Sequence, residues 1–526
     1  MNKTWNGKTL REILRFSSAA EFFEWMPWTL VDAIAFFSLA AFCLFPVVIA
    51  IPTLVHCSFD QMVMDSMGLL DGIIFPLVTV NSALAYVLTL GKMRHEKRSP
   101  LAAVRKSPTL ILFAALMAWM CVNLFFVNRV EGAFFHGLLL RHESFSLNLE
   151  YYLGFFALGM ALRNPRLKLW LLRGLAAVSA LLVPCAFYLW KNLTASPIYY
   201  DWQPMFTAIF THWNYYGYFL SVAVGVCAGL FAAAEKERPR WRAFYALALI
   251  INTVGLSYTT TRGAWIASFC ACLFLVAAYR VRDGKFQRRS LIALGIFALA
   301  FFPATLFGNP ESLGHLQSLP REAGLVISQP RSEEAAFAGS GRWQIWARCL
   351  NIIRQYPLMG IGFEGIYLYD LGSYVTATRP HNEFIQYALF YGIPAALLYI
   401  AGCVSVYWRA VKRRARLDNL TLTALTAAFA YLVSSFFGVS VYNTAPFLFI
   451  MLGLGYVHDD ARAIPADNDA ETLPADADAE TLPADADAET LPADADAETL
   501  SADNDAETLP ADAEVSAPDN ETPPLP

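Results

Sequence analysis

Long runs of apolar residues dominate the first 460 positions of this 526-residue chain. A membrane hydrocarbon core about 30 Å thick is crossed by roughly 20 residues of α-helix. Twelve runs have or approach this length, so the pattern predicts an all-α, polytopic membrane protein with about twelve transmembrane helices. The runs lie at residues 30–52, 69–90, 108–127, 149–162, 169–190, 213–233, 241–257, 264–280, 290–307, 383–407, 419–438 and 444–457.

Polar segments divide the chain into three predicted regions. Residues 1–28 form an N-terminal arm whose basic and aromatic residues are typical of a short interfacial helix. Residues 29–460 form the transmembrane domain, which contains one long external loop at about 308–382 that is predicted to hold short helices. Residues 461–526 repeat an acidic nonapeptide without aromatic side chains. Such a segment cannot bury a core, so we predict that it is disordered and assign it no catalytic role.

The charge of the membrane domain differs from that of the whole chain. The formal net charge is −5, but the last 66 residues hold 19 of the 44 acidic residues and one of the 39 basic ones. With the N-terminus inside, the inner loops hold 28 Lys and Arg residues and the outer loops 10. Because basic residues favour the cytoplasmic side, this distribution predicts that both termini are cytoplasmic. The long loop is then external.

The first polar signature on the external side is the turn 259–265, Thr-Thr-Thr-Arg-Gly-Ala-Trp, between the seventh and eighth runs. An arginine at the membrane boundary often extends its side chain to the interface without any further role. This short turn, however, places Arg262 among packed helices. Since a planar guanidinium suits a phosphate group, we favour an anion-binding role.

The second signature lies in the long loop, where Ser-Gly-Arg-Trp-Gln-Ile-Trp at 340–346 opens an amphipathic helix that is predicted to reach Tyr356. Ser340 is the predicted N-cap, which places Arg342 in the first turn. The free N–H groups of a helix N-terminus attract anions, and Arg342 would strengthen this attraction. The Gly-rich stretch around 360–365 is predicted to be a turn.

The third signature, Arg-Pro-His-Asn-Glu at 379–383, leads into the tenth run. A lone histidine is more often structural than catalytic, but His381 shares the external layer with the two arginines. A near-neutral imidazole is well suited to accept a proton from a hydroxyl group. A weaker signal, which includes His212 and Asn214, begins the sixth run; its aromatic neighbours fit either an interfacial belt or a surface that stacks on sugar rings.

These signatures, in this order and on this topology, resemble the O-antigen ligase and polymerase superfamily of bacterial inner-membrane glycosyltransferases. The resemblance covers roughly residues 205–400. It rests on Arg262-Gly263, Gly341-Arg342 with Trp346, Gly360 and Gly362, His381-Asn382, and Gly392. In one departure, Phe390 stands where the family often has an acidic residue, which leaves the acceptor or subgroup open.

The resemblance implies transfer of a glycan from undecaprenyl diphosphate to an acceptor hydroxyl, such as that of lipid A-core, on the periplasmic side of the inner membrane. It implies that Arg262 and Arg342 hold the donor diphosphate. His381 would act as the catalytic base, with inversion at the anomeric carbon. The further candidates for substrate binding or support are His212, Asn214, Trp346, Arg379, Asn382 and Glu383.

The expected partners are therefore the lipid-linked donor, the glycan acceptor and membrane lipids, with no nucleic acid. The nine cysteines contain no Cys-x-x-Cys pair and no His/Cys cluster at metal spacing, so no metal site or cofactor is expected. Within the superfamily a ligase is favoured over a polymerase or a protein O-oligosaccharyltransferase, since the loop is of moderate size. The alternative of another class is a lipid-linked oligosaccharide flippase, which predicts mid-membrane charges and internal repeats that the sequence does not show.

Overall fold

The structure, a computed structural model, describes residues 16–127, 134, 144–194, 206–234, 238–329, 332–336, 338–368 and 379–459. The chain divides into two units, Met1–Arg462 and Ala463–Pro526. The described residues all belong to the first unit, and the predicted disordered tail lies outside them.

All elements of these residues are helical, and the only extended pairing among them is an isolated bridge between Ser58 and Thr194. Short π-helical segments at Leu70–Ile74, Tyr151–Phe156 and Ala304–Gly308 continue neighbouring α-helices. The α-helices are α1 (Ala19–Trp25), α2 (Trp28–His56), α3 (Phe59–Leu69), α4 (Phe75–His95), α5 (Pro100–Arg105), α6 (Pro108–Phe126), α7 (Phe145–Glu150), α8 (Ala157–Ala161), α9 (Pro165–Asn192), α10 (Trp213–Ala233), α11 (Pro239–Tyr258), α12 (Arg262–Asp283), α13 (Arg288–Pro303), α14 (Pro310–Ser328), α15 (Glu333–Ala336), α16 (Arg342–Gln355), α17 (Glu383–Tyr391), α18 (Ile393–Lys412), α19 (Asn419–Ser434) and α20 (Ala445–Leu454).

Nine helices of the described residues are long and apolar enough to cross a membrane. The all-helical membrane architecture is therefore confirmed, while the count of twelve spans stays a prediction. The nine are α2, the continuous helix Phe59–His95, α6, α9, α10, α12, Arg288–Gly308, α18 and Asn419–Phe437.

The other three predicted runs also fall on helices. Run 149–162 covers the end of α7, the following π-segment and α8; run 241–257 lies in α11; and run 444–457 contains α20. Helix α11 has 20 residues but includes polar side chains such as Arg242 and Asn252. Helix α20 has only 10 residues, all of them buried.

Helix α10 lies at the centre of the helical bundle, with 89% of its apolar window buried. It packs closely against α19, because a Cβ atom at Gly225 would lie 2.8 Å from the Cα of Ala427. One turn further on, a Cβ atom at Gly229 would lie 2.8 Å from the Cα of Thr423. Small residues that let two backbones approach are a common device of membrane helix packing. The same helix carries its first turn to the end of the bundle where the candidate site lies.

The tenth predicted run is not one helix. The chain breaks at Gly392, which has a left-handed φ of 85°, so α17 and α18 are separate helices. The loop segment 357–362 packs against this break: Ile361 N–H donates to Leu389 O at 2.9 Å, and Ile393 N–H donates to Pro357 O at 2.8 Å. The predicted single span 383–407 is thus wrong in its first part.

The long loop between α13 and α17 is mostly helical. It contains α14, α15, α16 and a short 3₁₀ segment at Gly365–Leu368. The 19-residue helix α14 is longer than the short helices expected there. Ser312 at its start donates to Ser257 O at 2.6 Å, which ties α14 to the end of α11.

Candidate active site

Arg262 is the first residue of α12 and follows a tight turn at the end of α11. In this turn Thr261 Oγ1 donates to Trp213 O at 3.2 Å, which joins the turn to the start of α10. The side chain of Arg262 is 9% exposed. The structure therefore places this arginine inside packed protein at one end of the bundle.

The guanidinium of Arg262 donates to three side chains of the loop helices and their connections. Nη1 donates to Glu322 Oε1 at 2.6 Å and to Ser318 Oγ at 3.2 Å, both on α14. Nη2 donates to Ser340 Oγ at 3.3 Å. Both terminal nitrogens of the fork are thus used, in a geometry that a single ammonium group does not provide.

Glu322 connects this arginine to the start of α16. Its second oxygen, Oε2, accepts from Gly339 N–H at 2.7 Å. Partial burial raises the pKa of Glu322, but the hydrogen bonds from Arg262, Gly339 and Ser318 outweigh burial and hold the pKa below its ordinary value. The carboxylate is therefore ionised at neutral pH.

Helix α16 begins at Arg342, as the sequence predicts, but its cap differs. The N-cap is Gly341, with a φ of 78° and no side-chain cap. Ser340 has a φ of 61°, and its hydroxyl accepts from Arg262, so the prediction of a Ser340 cap is wrong. The predicted amphipathic face is confirmed, with Ile345, Cys349, Ile352 and Ile353 buried.

Arg342 belongs to the same group of charges. Burial lowers the pKa of Arg342. The charges of Tyr218 and Glu322 raise this pKa, whereas the positive charge of Arg262 lowers it. The geometry agrees, because the hydroxyl of Ser340, two residues before Arg342, accepts from Arg262 Nη2 at 3.3 Å. We refer to Arg262, Arg342 and Glu322 as the arginine cluster. It draws on three separate elements: α12, α14 and α16.

His381 lies just before α17 and is half-buried, with a left-handed φ of 50°. The preceding carbonyl, Pro380 O, accepts from Trp346 Nε1 at 2.9 Å. Trp346 is on α16, four residues beyond Arg342. A single helix therefore begins with one residue of the arginine cluster and, one turn later, holds the backbone beside His381.

Arg379 is buried inside the protein, and its contacts differ from those of the arginine cluster. It is 2% exposed, pairs with the buried carboxylate of Glu364, and lies over the Phe390 ring at 5.3 Å. This ion pair anchors the chain two residues before His381. Arg379 is thus placed to support the segment, and Phe390 forms one wall of its pocket.

The next two candidates also make internal contacts. Asn382 caps α17, its Oδ1 accepting from Ile385 N–H at 3.0 Å. Glu383 is fully buried and accepts from Tyr399 OH at 2.9 Å. Both side chains hold the helix that follows His381.

His212 and Asn214 lie at the start of α10. His212 is the N-cap: its Nδ1 accepts from Asn214 N–H at 3.0 Å, and its ring stacks on Trp213 with centroids 3.8 Å apart. Asn214 is 8% exposed. The structure gives His212 a capping contact, which the sequence pattern did not predict.

Comparison with known families covers the segment that holds this site. Residues 245–400, from within α11 to within α18, match a family model described as O-antigen ligase. This segment is therefore similar to the O-antigen ligase family. The predicted resemblance to the O-antigen ligase and polymerase superfamily is thereby confirmed. No curated protein matches the chain significantly.

The O-antigen ligase segment contains Arg262, Arg342 and His381, whereas His212 and Asn214 precede it. The family is one of glycosyltransferase-like ligases and polymerases that act on lipid-linked glycans in general. The chain accordingly combines several candidate membrane spans with a segment that is similar to the O-antigen ligase family.

Two glycines of this segment, Gly360 and Gly392, have a packing role. A Cβ atom at Gly360 would lie 2.5 Å from Leu389 O, and one at Gly392 would overlap Leu358 O. Helix α6 holds the same junction, since Trp119 Nε1 donates to Tyr391 O at 2.8 Å. These glycines let the loop lie directly on the break between α17 and α18.

Sequence reasoning missed Glu322 and Glu364, the two carboxylates that face the arginines of the site. One signal was present for Glu322. Asn309, Pro310 and Glu311 form a helix start, with Asn309 Oδ1 accepting from Glu311 N–H at 3.1 Å. Pro320 inside the same helix obscured this signal, because an internal proline argues against a helix. Nothing in the sequence around Glu364 marked it.

Proposed function

We propose that this protein transfers a glycan from an undecaprenyl-diphosphate donor to an acceptor hydroxyl, with lipid A-core as acceptor, at the periplasmic face of the inner membrane. One observation carries the proposal: Arg262 donates to Ser340 beside the start of α16, whose first residue is Arg342, and Trp346 of the same helix donates to the carbonyl before His381. The O-antigen ligase family match supports the reaction class.

The arginines bind the donor diphosphate in this mechanism. A guanidinium fork donates two parallel hydrogen bonds to phosphate oxygens, and it keeps its charge at any working pH. Negative charge grows on the diphosphate as its bond to the sugar breaks. Fixed cations aimed at that charge stabilise the transition state more than the ground state.

His381 supplies the base. Its imidazole accepts the proton of the acceptor hydroxyl while the hydroxyl oxygen forms a bond to the anomeric carbon. The bond between that carbon and the diphosphate oxygen breaks, and undecaprenyl diphosphate leaves with the electron pair. Attack opposite the leaving group inverts the anomeric carbon. No metal ion or cofactor takes part in this proposed sequence.

The remaining candidates support these three residues. Trp346 fixes the carbonyl before His381, Arg379 anchors the chain on its N-terminal side, and Asn382 caps the helix on its C-terminal side. Glu383 and His212 hold α17 and α10. Asn214, in the first turn of α10, is the candidate for contact with a sugar.

Deletion of the gene in its native host, followed by electrophoresis of lipopolysaccharide, tests the function. If the protein is a ligase, the deletion strain should contain free lipid A-core and accumulate lipid-linked polymer. The wild-type gene should reverse both changes, whereas the gene with His381→Ala should not. Core bearing a single repeat would assign a polymerase instead. Normal lipopolysaccharide with an under-glycosylated protein would assign a protein O-oligosaccharyltransferase.

A failure to deliver any donor to the periplasm would favour the flippase alternative. Donor accumulation on the cytoplasmic side, measured by accessibility of the glycan in right-side-out spheroplasts, distinguishes that outcome. Unchanged lipopolysaccharide, protein glycosylation and donor pool would contradict the proposal altogether.

A further inference from the structure

The groups of the arginine cluster that suit an anion already hold one from the protein itself, the carboxylate of Glu322. One oxygen of Glu322 lies 2.6 Å from Arg262 Nη1, and the other lies 2.7 Å from Gly339 N. A carboxylate that bridges a guanidinium and a backbone N–H makes the same pair of contacts as two oxygens of a phosphate. The Glu322 side chain is 26% exposed, so it is reachable from solvent.

The charges of the cluster are unequal when Glu322 is in place. Arg262 and Arg342 are both affected by the Glu322 charge, and one carboxylate offsets one of the two cations. A diphosphate linked at both ends carries a negative charge on each phosphate. Two arginines match these two charges only if Glu322 withdraws, because a third anion in the cluster would repel the diphosphate.

We propose that Glu322 is a displaceable counter-anion, which occupies the diphosphate position between Arg262 and Gly339 N–H until the donor replaces it. This inference rests on the proposed function, in which the arginines bind the donor diphosphate. In the resting protein Glu322 offsets the charge of the buried Arg262 and ties α14 to the turn before α16. After transfer, its return to Arg262 competes with the product diphosphate and speeds release.

Binding of inorganic pyrophosphate to the detergent-solubilised full chain tests the proposal. Glu322→Gln removes the competing charge, so pyrophosphate should bind about fivefold tighter, the size of a partly screened charge pair. Glu311→Gln is the matched control: it removes the same charge from the same helix, at an exposed position where the carboxylate lies 3.7 Å from the His315 ring. The control should bind pyrophosphate as the wild type does. Equal or weaker binding by Glu322→Gln would overturn the proposal.

Hydrogen exchange of the wild-type protein provides a second test that needs no variant at position 322. Saturating pyrophosphate should increase amide exchange in α14 and at Gly339, since displacement of Glu322 breaks their connection. Unchanged exchange in both places at saturation would overturn displacement, even if Glu322→Gln fails to fold.

A third variant separates this proposal from the proposed function. Arg262→Ala should abolish pyrophosphate binding if the arginines form the diphosphate site. Binding that depends on Arg262 but not on Glu322 contradicts the counter-anion alone. Binding that is independent of Arg262, or absent in every variant, contradicts the diphosphate site itself and the counter-anion with it.

Discussion

At the scale of single residues, Arg262 is set apart by the use of both its terminal nitrogens. Nη1 and Nη2 reach partners on two separate segments, α14 and the turn before α16. An ammonium group at the same place would keep the charge but could not reach both segments from one plane.

Arg262→Lys should therefore reduce glycan transfer by about 100-fold, comparable to the loss of one fixed donor in an enzyme site. The measurement is transfer to acceptor by solubilised protein with purified lipid-linked donor. Arg280→Lys, near the other end of the same helix and exposed, is the control and should retain normal activity. Wild-type rates for Arg262→Lys would reduce Arg262 to a structural residue.

His381 is the residue on which the proposed chemistry depends. Its Ala variant should lower transfer by at least about 100-fold, because a positioned general base typically contributes that much or more. His315→Ala is the control, since His315 lies on α14 and its ring pairs with Glu311. Full activity in His381→Ala, with normal insertion and thermal stability, would rule out the base.

The sequence predicted the arginines and the histidine of the site but not the acidic partners of the arginines. Arg262, Arg342 and His381 stand in short polar signatures between apolar runs, where a charged group is conspicuous. Glu322 stands in an ordinary polar stretch, and its pairing with Arg262 joins residues 60 positions apart. Such a pairing depends on how the loop helices fold back, which local patterns do not encode.

At the scale of elements, the break between α17 and α18 shows a limit of hydropathy. Residues 383–407 are mostly apolar, so hydropathy alone gives no reason to interrupt the helix. The interruption comes from backbone packing: the loop at 357–362 lies against Gly392, where side chains are excluded. Hydropathy works better for the short helix α20. The sequence predicts an apolar run there, and all ten residues of the helix are buried.

Gly392→Ala should destabilise the folded protein by about 3 kcal/mol or more. The added methyl group overlaps Leu358 O, and a φ of 85° is strained for alanine. The measurement is the thermal unfolding midpoint of solubilised protein. Gly314→Ala is the control: Gly314 lies within α14 with open space around its Cβ position, so alanine should leave stability unchanged or raise it slightly. Equal midpoints for the two variants would show that the loop does not press on Gly392.

At the scale of the whole molecule, the described residues of the first unit contain all nine candidate site residues. The helices that hold the site, from α10 to α18, lie within one continuous stretch of the chain. Helix α10 connects this stretch to α19 through Gly225 and Gly229. All nine candidate residues thus precede residue 460, outside the acidic repeats.

A chain that ends at Arg462 should therefore insert into the membrane and transfer glycan within about twofold of the full chain, the range of changes outside a site or core. A second truncation, ending at Tyr456, is the contrasting control. The buried Arg409 donates from Nε to Val457 O and from Nη2 to Asp459 Oδ2 at 2.7 Å, and this truncation removes both partners. Leaving a buried cation unpaired costs about 3–5 kcal/mol, so the shorter chain should accumulate poorly. Loss of transfer by the chain ending at Arg462, with normal amounts in the membrane, would assign the acidic repeats a part in the reaction.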